Sequence, residues 1–88
     1  MFIHLGENTV INTNEIVAII DLDNTTVSKI TRDFLTTMEK QGKVVNVTDE
    51  LPRSAVICKN KNKNTVYISQ ISPQTLQKRF ESGKIIGF

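Results

Sequence analysis

The sequence predicts an α+β fold: one small domain over residues 1–88, with a mainly antiparallel sheet and two helices. Three observations predict it. Strand-like and helix-like stretches follow the order strands, helix, strands, helix. The run Ile16-Val-Ala-Ile-Ile20 is apolar at both parities, which suits a strand covered on both faces. Two segments carry helix-start signals, Ser28 and Ser72-Pro73, each ahead of apolar residues at helical spacing.

The elements follow in chain order. Phe2 to Leu5 and Thr9 to Ile11 are short strands around a Gly6-Glu-Asn8 turn. Ile16 to Ile20 is the buried strand, and Asp21 to Thr26 is a polar loop. Ser28 to Gln41 is a helix, with Ile30, Phe34, Leu35 and Met38 as one apolar stripe. Ser28 caps it, Gly42 stops it, and Lys40 and Lys43 complement its C-terminal dipole. Val44, Val45 and Val47 mark another strand, and Asp49 to Pro52 a turn. Ser54 to Lys59 and Thr65 to Gln70 are β-rich runs joined through Asn60-Lys-Asn-Lys-Asn64 as a hairpin. Ser72-Pro73 opens the second helix, Leu76 and Phe80 form its apolar stripe, and Gly83 is the expected stop. The apolar tail Ile85-Ile-Gly-Phe88 needs cover from this chain or a neighbour.

Composition narrows the class. A chain of 88 residues buries only about 60% of its unfolded surface, so self-association is an accessible route to further burial. The single cysteine, Cys58, rules out an internal disulfide and points to a reducing compartment. No apolar run approaches the about 20 residues that cross a bilayer. Met1 to Gly6 reads as a strand and not a signal peptide, so a cytoplasmic protein is expected, nucleoid-associated if it binds DNA.

Charge is divided unevenly. Residues 1–50 hold four basic and eight acidic residues, a net −4. Residues 51–88 hold seven basic residues against Glu81 alone, a net +6. Such a division suits a polyanion-binding face, or a surface that pairs head-to-tail with a second copy. The candidate nucleic-acid contacts are Arg53, Lys59, Lys61, Lys63, Lys78 and Arg79. Lys59, Lys61 and Lys63 alternate with Asn60, Asn62 and Asn64, and both residue types bond phosphate oxygens. The same run also reads as a soluble turn that blocks edge-to-edge aggregation. Arg53 follows Pro52 on a stiff turn, where its planar fork suits a phosphate or a guanine edge, or simply the surface. Lys78 and Arg79 contact a polyanion or complement the last helix's dipole. Aromatic residues are too few beside these cations for a single-strand stacking platform, so duplex DNA is the better nucleic-acid partner.

Catalytic patterns are weak. Ile19 to Thr26 is similar to the first motif of haloacid-dehalogenase-type phosphatases, with Asp21 and Asp23 in the D-x-D positions. That chemistry needs further carboxylates to hold Mg²⁺, and after Glu50 the only acid is Glu81. His4 has no evident acid partner, and Cys58 sits in an apolar strand as a small hydrophobe. No enzyme activity, cofactor, metal or small-molecule substrate is expected.

Several segments together resemble a known family. They are Phe2-Ile-His-Leu-Gly6, Ile16-Val-Ala-Ile19, Phe34-Leu35, Pro52-Arg-Ser-Ala-Val-Ile57 and Ser72-Pro-Gln-Thr-Leu-Gln-Lys-Arg79. In order and spacing the chain resembles the extracellular matrix regulatory proteins of Firmicutes (the RemA/RemB, DUF370-type family), most of all the B-type branch. The resemblance implies a cytoplasmic transcription regulator of biofilm-matrix genes that forms closed rings and binds duplex DNA through arginines. It also implies a compact α+β subunit. Where the A-type branch carries a basic R-R-T-R turn, this chain has Glu50-Leu51-Pro52-Arg53, so only Arg53 matches. Glu15 stands where the A-type branch has another arginine. Lys59, Lys61 and Lys63 are the candidates to replace those contacts. The alternative is a structural or adaptor oligomer that acts through protein contacts alone.

Overall fold

The computed structural model describes residues 1–6, 8–23 and 28–86, with residues 82–86 as backbone only. Strands β1 (Phe2–His4) and β2 (Val10–Asn12) pair antiparallel as a hairpin. A 3₁₀ turn at Thr13–Glu15 leads into β3 (Ile16–Asp21). Helix α1 (Lys29–Lys40) follows, then β4 (Val44–Asn46), β5 (Ser54–Asn60), β6 (Lys63–Ser69) and helix α2 (Pro73–Ile86). The main sheet has the order β3-β5-β6-β4, with β4 parallel to β6 and the other pairs antiparallel.

This sheet is the middle layer of three. On one face, Val56 and Cys58 of β5 pack with Ile3, Leu5 and Ile11 of the β1–β2 hairpin and with Leu76 of α2. On the other, Ala55 of β5 and Val66 of β6 pack under Met38 of α1, with Leu35 beside it. Adjacent residues of β5 thus serve opposite layers, as the pleat requires. β3 obeys the same rule through a bulge. Ile16 opposes Cys58 and Ala18 opposes Ile57, so Val17 is displaced outward and is 65% exposed. Ile16 and Ile19 then face the hairpin layer while Ile20 faces α1. β3 therefore packs against both layers, but as an edge strand it is only half-covered, and Val17 lies exposed.

Two buried serines tie the layers together. Ser54 and Ser69 oppose each other across β5 and β6 and are fully buried. The Ser69 hydroxyl donates to the Leu5 carbonyl at 2.6 Å and accepts from the Ile71 amide at 3.0 Å. The Ser54 hydroxyl donates to the Ile71 carbonyl at 2.8 Å.

Three expectations need correction. Ile30 is 83% exposed and Phe34 38% exposed, so the α1 stripe is not one buried surface. At 3.6 residues per turn, Ile30 lies about 110° round the helix from the midpoint of Leu35 and Met38. Thr31 points closer to that midpoint and is half-buried. Second, α2 passes through Gly83 to Ile86. One interior glycine costs a helix only about 1 kcal/mol, which is too little to end it alone. Third, the β5–β6 turn holds only Lys61 and Asn62, because Asn60 pairs with Lys63 and Lys59 with Asn64. Asn24 to Thr26 of the phosphatase-like stretch, the Ile85 and Ile86 side chains, and the tail residues Gly87 and Phe88 lie outside the described residues.

Candidate nucleic-acid interface

The β5–β6 turn closes in two residues because Lys61 adopts a positive φ of 57°. That conformation costs a non-glycine residue about 1 kcal/mol, and it puts Lys61 at the extreme tip of the sheet. Directly opposed residues share a face, so Lys59 lies with Asn64 on one side and Lys63 with Asn60 on the other. The three lysines therefore crown the tip without sharing a face.

The C-terminal end of α1 arrives at the same place. Gly42, at φ 71°, donates to the Glu39 carbonyl, and the Lys43 amide donates to the Met38 carbonyl, both at 3.0 Å. This is a Schellman closure, and the left-handed glycine permits it. It turns the chain into β4, where the Lys43 carbonyl accepts from the Val66 amide at 2.9 Å. Lys43 lines one hollow with Asn62, Lys63 and Asn64. Lys40 is the last residue of α1 and Lys43 the third after it, so both join Lys59, Lys61 and Lys63 at one end of the sheet. All five side chains are exposed. Among the described residues none of them forms an ion pair.

Sequence reasoning missed Lys40 and Lys43 as members of this group, because they lie in the acidic half of the chain. The available signal was Gly42: a helix that stops there must deliver its last lysines to the start of the next strand.

The remaining candidates are elsewhere. Arg53 sits before β5, at the opposite end of the sheet and about 26 Å from Lys61 at the tip at about 3.3 Å per residue. Its Nε donates to Asp23 Oδ2 at 2.9 Å. Its amide donates to the Ser69 carbonyl and its carbonyl accepts from the Leu22 amide, at 2.8 and 3.0 Å. Arg53 is thus an anchor between the β3 exit and β5, in a neighbourhood with Asp21, Asp23, Asp49 and Glu50. Leu51 is 80% exposed at the same end. Lys78 lies on α2 beside Ile19. Arg79 Nη1 donates to the His4 carbonyl at 3.2 Å and ties α2 to β1. The structure gathers the three tip lysines and does not bring Arg53, Lys78 or Arg79 to them.

Asp21 and Asp23 hold their own loop together. Asp21 Oδ1 accepts from the Asp23 amide at 2.8 Å, and Asp23 Oδ2 accepts from Arg53. Among the described residues no three His, Cys, Asp or Glu side chains gather as metal ligands.

Two acidic residues share this end: Glu39, beside Lys40 at the end of α1, and Glu15. Glu15 Oε1 accepts from Asn60 Nδ2 at 2.8 Å. Burial first, and the Glu15 charge second, push the Cys58 thiol up to about 11. Burial likewise raises the Tyr67 hydroxyl, with smaller contributions from Cys58 and Glu15. Cys58 is 3% exposed and stays a protonated thiol, not a nucleophile.

The family model for extracellular matrix regulatory protein A-like proteins matches residues 2–80. The chain belongs to the extracellular matrix regulatory protein A-like family. It is 35% identical over 79 residues to "Extracellular matrix regulatory protein B" of Bacillus subtilis (strain 168), covering 90% of this chain and 89% of that relative. Both ends of the sheet fall inside the family match, as do the five tip lysines, Arg53, Lys78 and Arg79. In this member of the extracellular matrix regulatory protein A-like family, no helix among the described residues is long and apolar enough to cross a membrane.

Proposed function

We propose that this family member is a cytoplasmic, non-enzymatic transcription regulator. It binds duplex DNA mainly through phosphate contacts, as a ring oligomer. The relative's name supports the regulatory part. The observation that carries DNA binding is the convergence of Lys40, Lys43, Lys59, Lys61 and Lys63 at one end of the sheet, with Asn60, Asn62 and Asn64 between them. Ammonium and amide groups in this mixture hold phosphate oxygens without reading base sequence. The opposite end carries Asp21, Asp23, Asp49 and Glu50, so a polyanion is attracted to one end and repelled from the other. One subunit binds weakly, and a ring repeats the patch and gains through effective concentration.

Titration of a fluorescent duplex tests this reading. Five neutralised phosphates per contact give a log–log salt slope of about −4.5, so affinity falls about 500-fold between about 50 and about 200 mM salt. A slope near zero, or no binding at low salt, overturns it.

A second reading, an adaptor oligomer without DNA, is favoured by the exposure of Phe2, Val17, Ile30 and Leu51, each at least 65% exposed. Light scattering beside the duplex titration separates the two. Assembly without salt-dependent DNA binding selects the adaptor.

A further inference from the structure

The lysine end has a concave side. Below the tip, the face of β5 and β6 that carries Asn60 and Lys63 forms a hollow of about 550 Å³, within the about 300–1,000 Å³ of small-ligand sites. Lys61, Lys63, Thr65, Tyr67 and Glu15 are among the residues that line it. A site for phosphate alone has no use for Glu15, because a carboxylate only accepts hydrogen bonds and repels an anion. Glu15 Oε1 is held by Asn60 Nδ2 at 2.8 Å, and among the described residues nothing donates to Oε2. Lining one hollow, these groups suit a ligand with two chemistries: an anion for the ammoniums and a hydroxyl donor for the carboxylate. The internal sugars of duplex DNA offer no free hydroxyl. A ribonucleotide offers both, since carboxylates elsewhere bind ribose hydroxyls in this way.

We propose that this hollow binds a ribonucleoside monophosphate, with the phosphate on Lys61 and Lys63 and a ribose hydroxyl donating to Glu15. The ligand occupies two of the five lysines proposed to hold DNA, so it competes with the duplex. That regulatory consequence rests on the DNA-binding reading, while the binding site itself does not.

The test is a calorimetric titration of the full chain with adenosine 5′-monophosphate, its 2′,3′-dideoxy analogue and inorganic phosphate. The expected result is saturable binding of the ribonucleotide, about tenfold tighter than the analogue, which is the loss of one hydrogen bond to a charged group. Inorganic phosphate binds more weakly than the ribonucleotide. Glu15→Ala equalises the ribonucleotide and its analogue, while Lys63→Ala weakens both alike. Glu15→Gln keeps an acceptor for Asn60 and reads the same loss of discrimination should the alanine variant fold poorly. Equal affinity for the two nucleotides in the wild type, or no saturation by either, overturns the proposal. The duplex titration stands apart from these measurements. Nucleotide binding without DNA binding removes only the regulator reading, and DNA binding without nucleotide binding removes only this one.

Discussion

Ser69 is fully buried, yet its hydroxyl both donates to Leu5 and accepts from Ile71. Ser69→Ala leaves a buried carbonyl and a part-buried amide without partners, so it lowers stability by about 1–3 kcal/mol, read by urea unfolding. Cys58 makes a pH prediction. Its thiol titrates near 9.0 when unfolded and about 11 when folded. The folded state therefore holds the proton more tightly. Stability is unaffected below about pH 9 and falls as pH rises from there toward about 11. Chemical unfolding across that range shows the decline, and Cys58→Ala removes that share of it. The thiol's burial was legible in its apolar strand. The role of Ser69 was not, because a serine in a strand looks the same whether it faces solvent or a carbonyl. Arg53 was legible as a guanidinium on a stiff turn, but Asp23, thirty positions away, engages its Nε.

The helices and strands were readable where local chemistry decides them. Ser28 accepts from the Thr31 amide at 3.1 Å, Ser72 from the Thr75 amide at 3.2 Å, and Gly42 takes its left-handed φ, all from side-chain or backbone preferences within a few residues. The exposed half of the α1 stripe was not readable, since helical spacing says which residues cluster but not how wide a stripe the sheet covers. Gly6 gives the element-scale prediction. A methyl group there would overlap Cγ1 of Val47, so the Val47 side chain or the end of β1 must shift to admit it. Gly6→Ala displaces the Val47 side chain from its rotamer or the strand end from its place and costs about 1–3 kcal/mol, measured as a lower unfolding midpoint.

Across the whole molecule the charge division along the chain becomes a division between the two ends of the sheet, with some members exchanged. The parallel pairing of β4 with β6 carries Lys40 and Lys43 from the acidic half of the chain to the lysine end, and the β5 strand carries Arg53 away from it. The consequence is position-specific. Lys43→Glu lowers duplex affinity by about tenfold or more and flattens the salt slope by about 1–2, while Lys78→Glu, on α2, leaves the slope nearly unchanged. Equal losses in both variants would place the DNA on another surface. By itself the amino-acid sequence determined the α+β class, the helix starts, the packing of β3 against two layers and the family. These follow from short-range preferences, apolar periodicity and matching segments. Only the tertiary structure decided which cations act together. Strand pairing brings distant parts of the chain to one end of a sheet, and no local preference encodes that proximity.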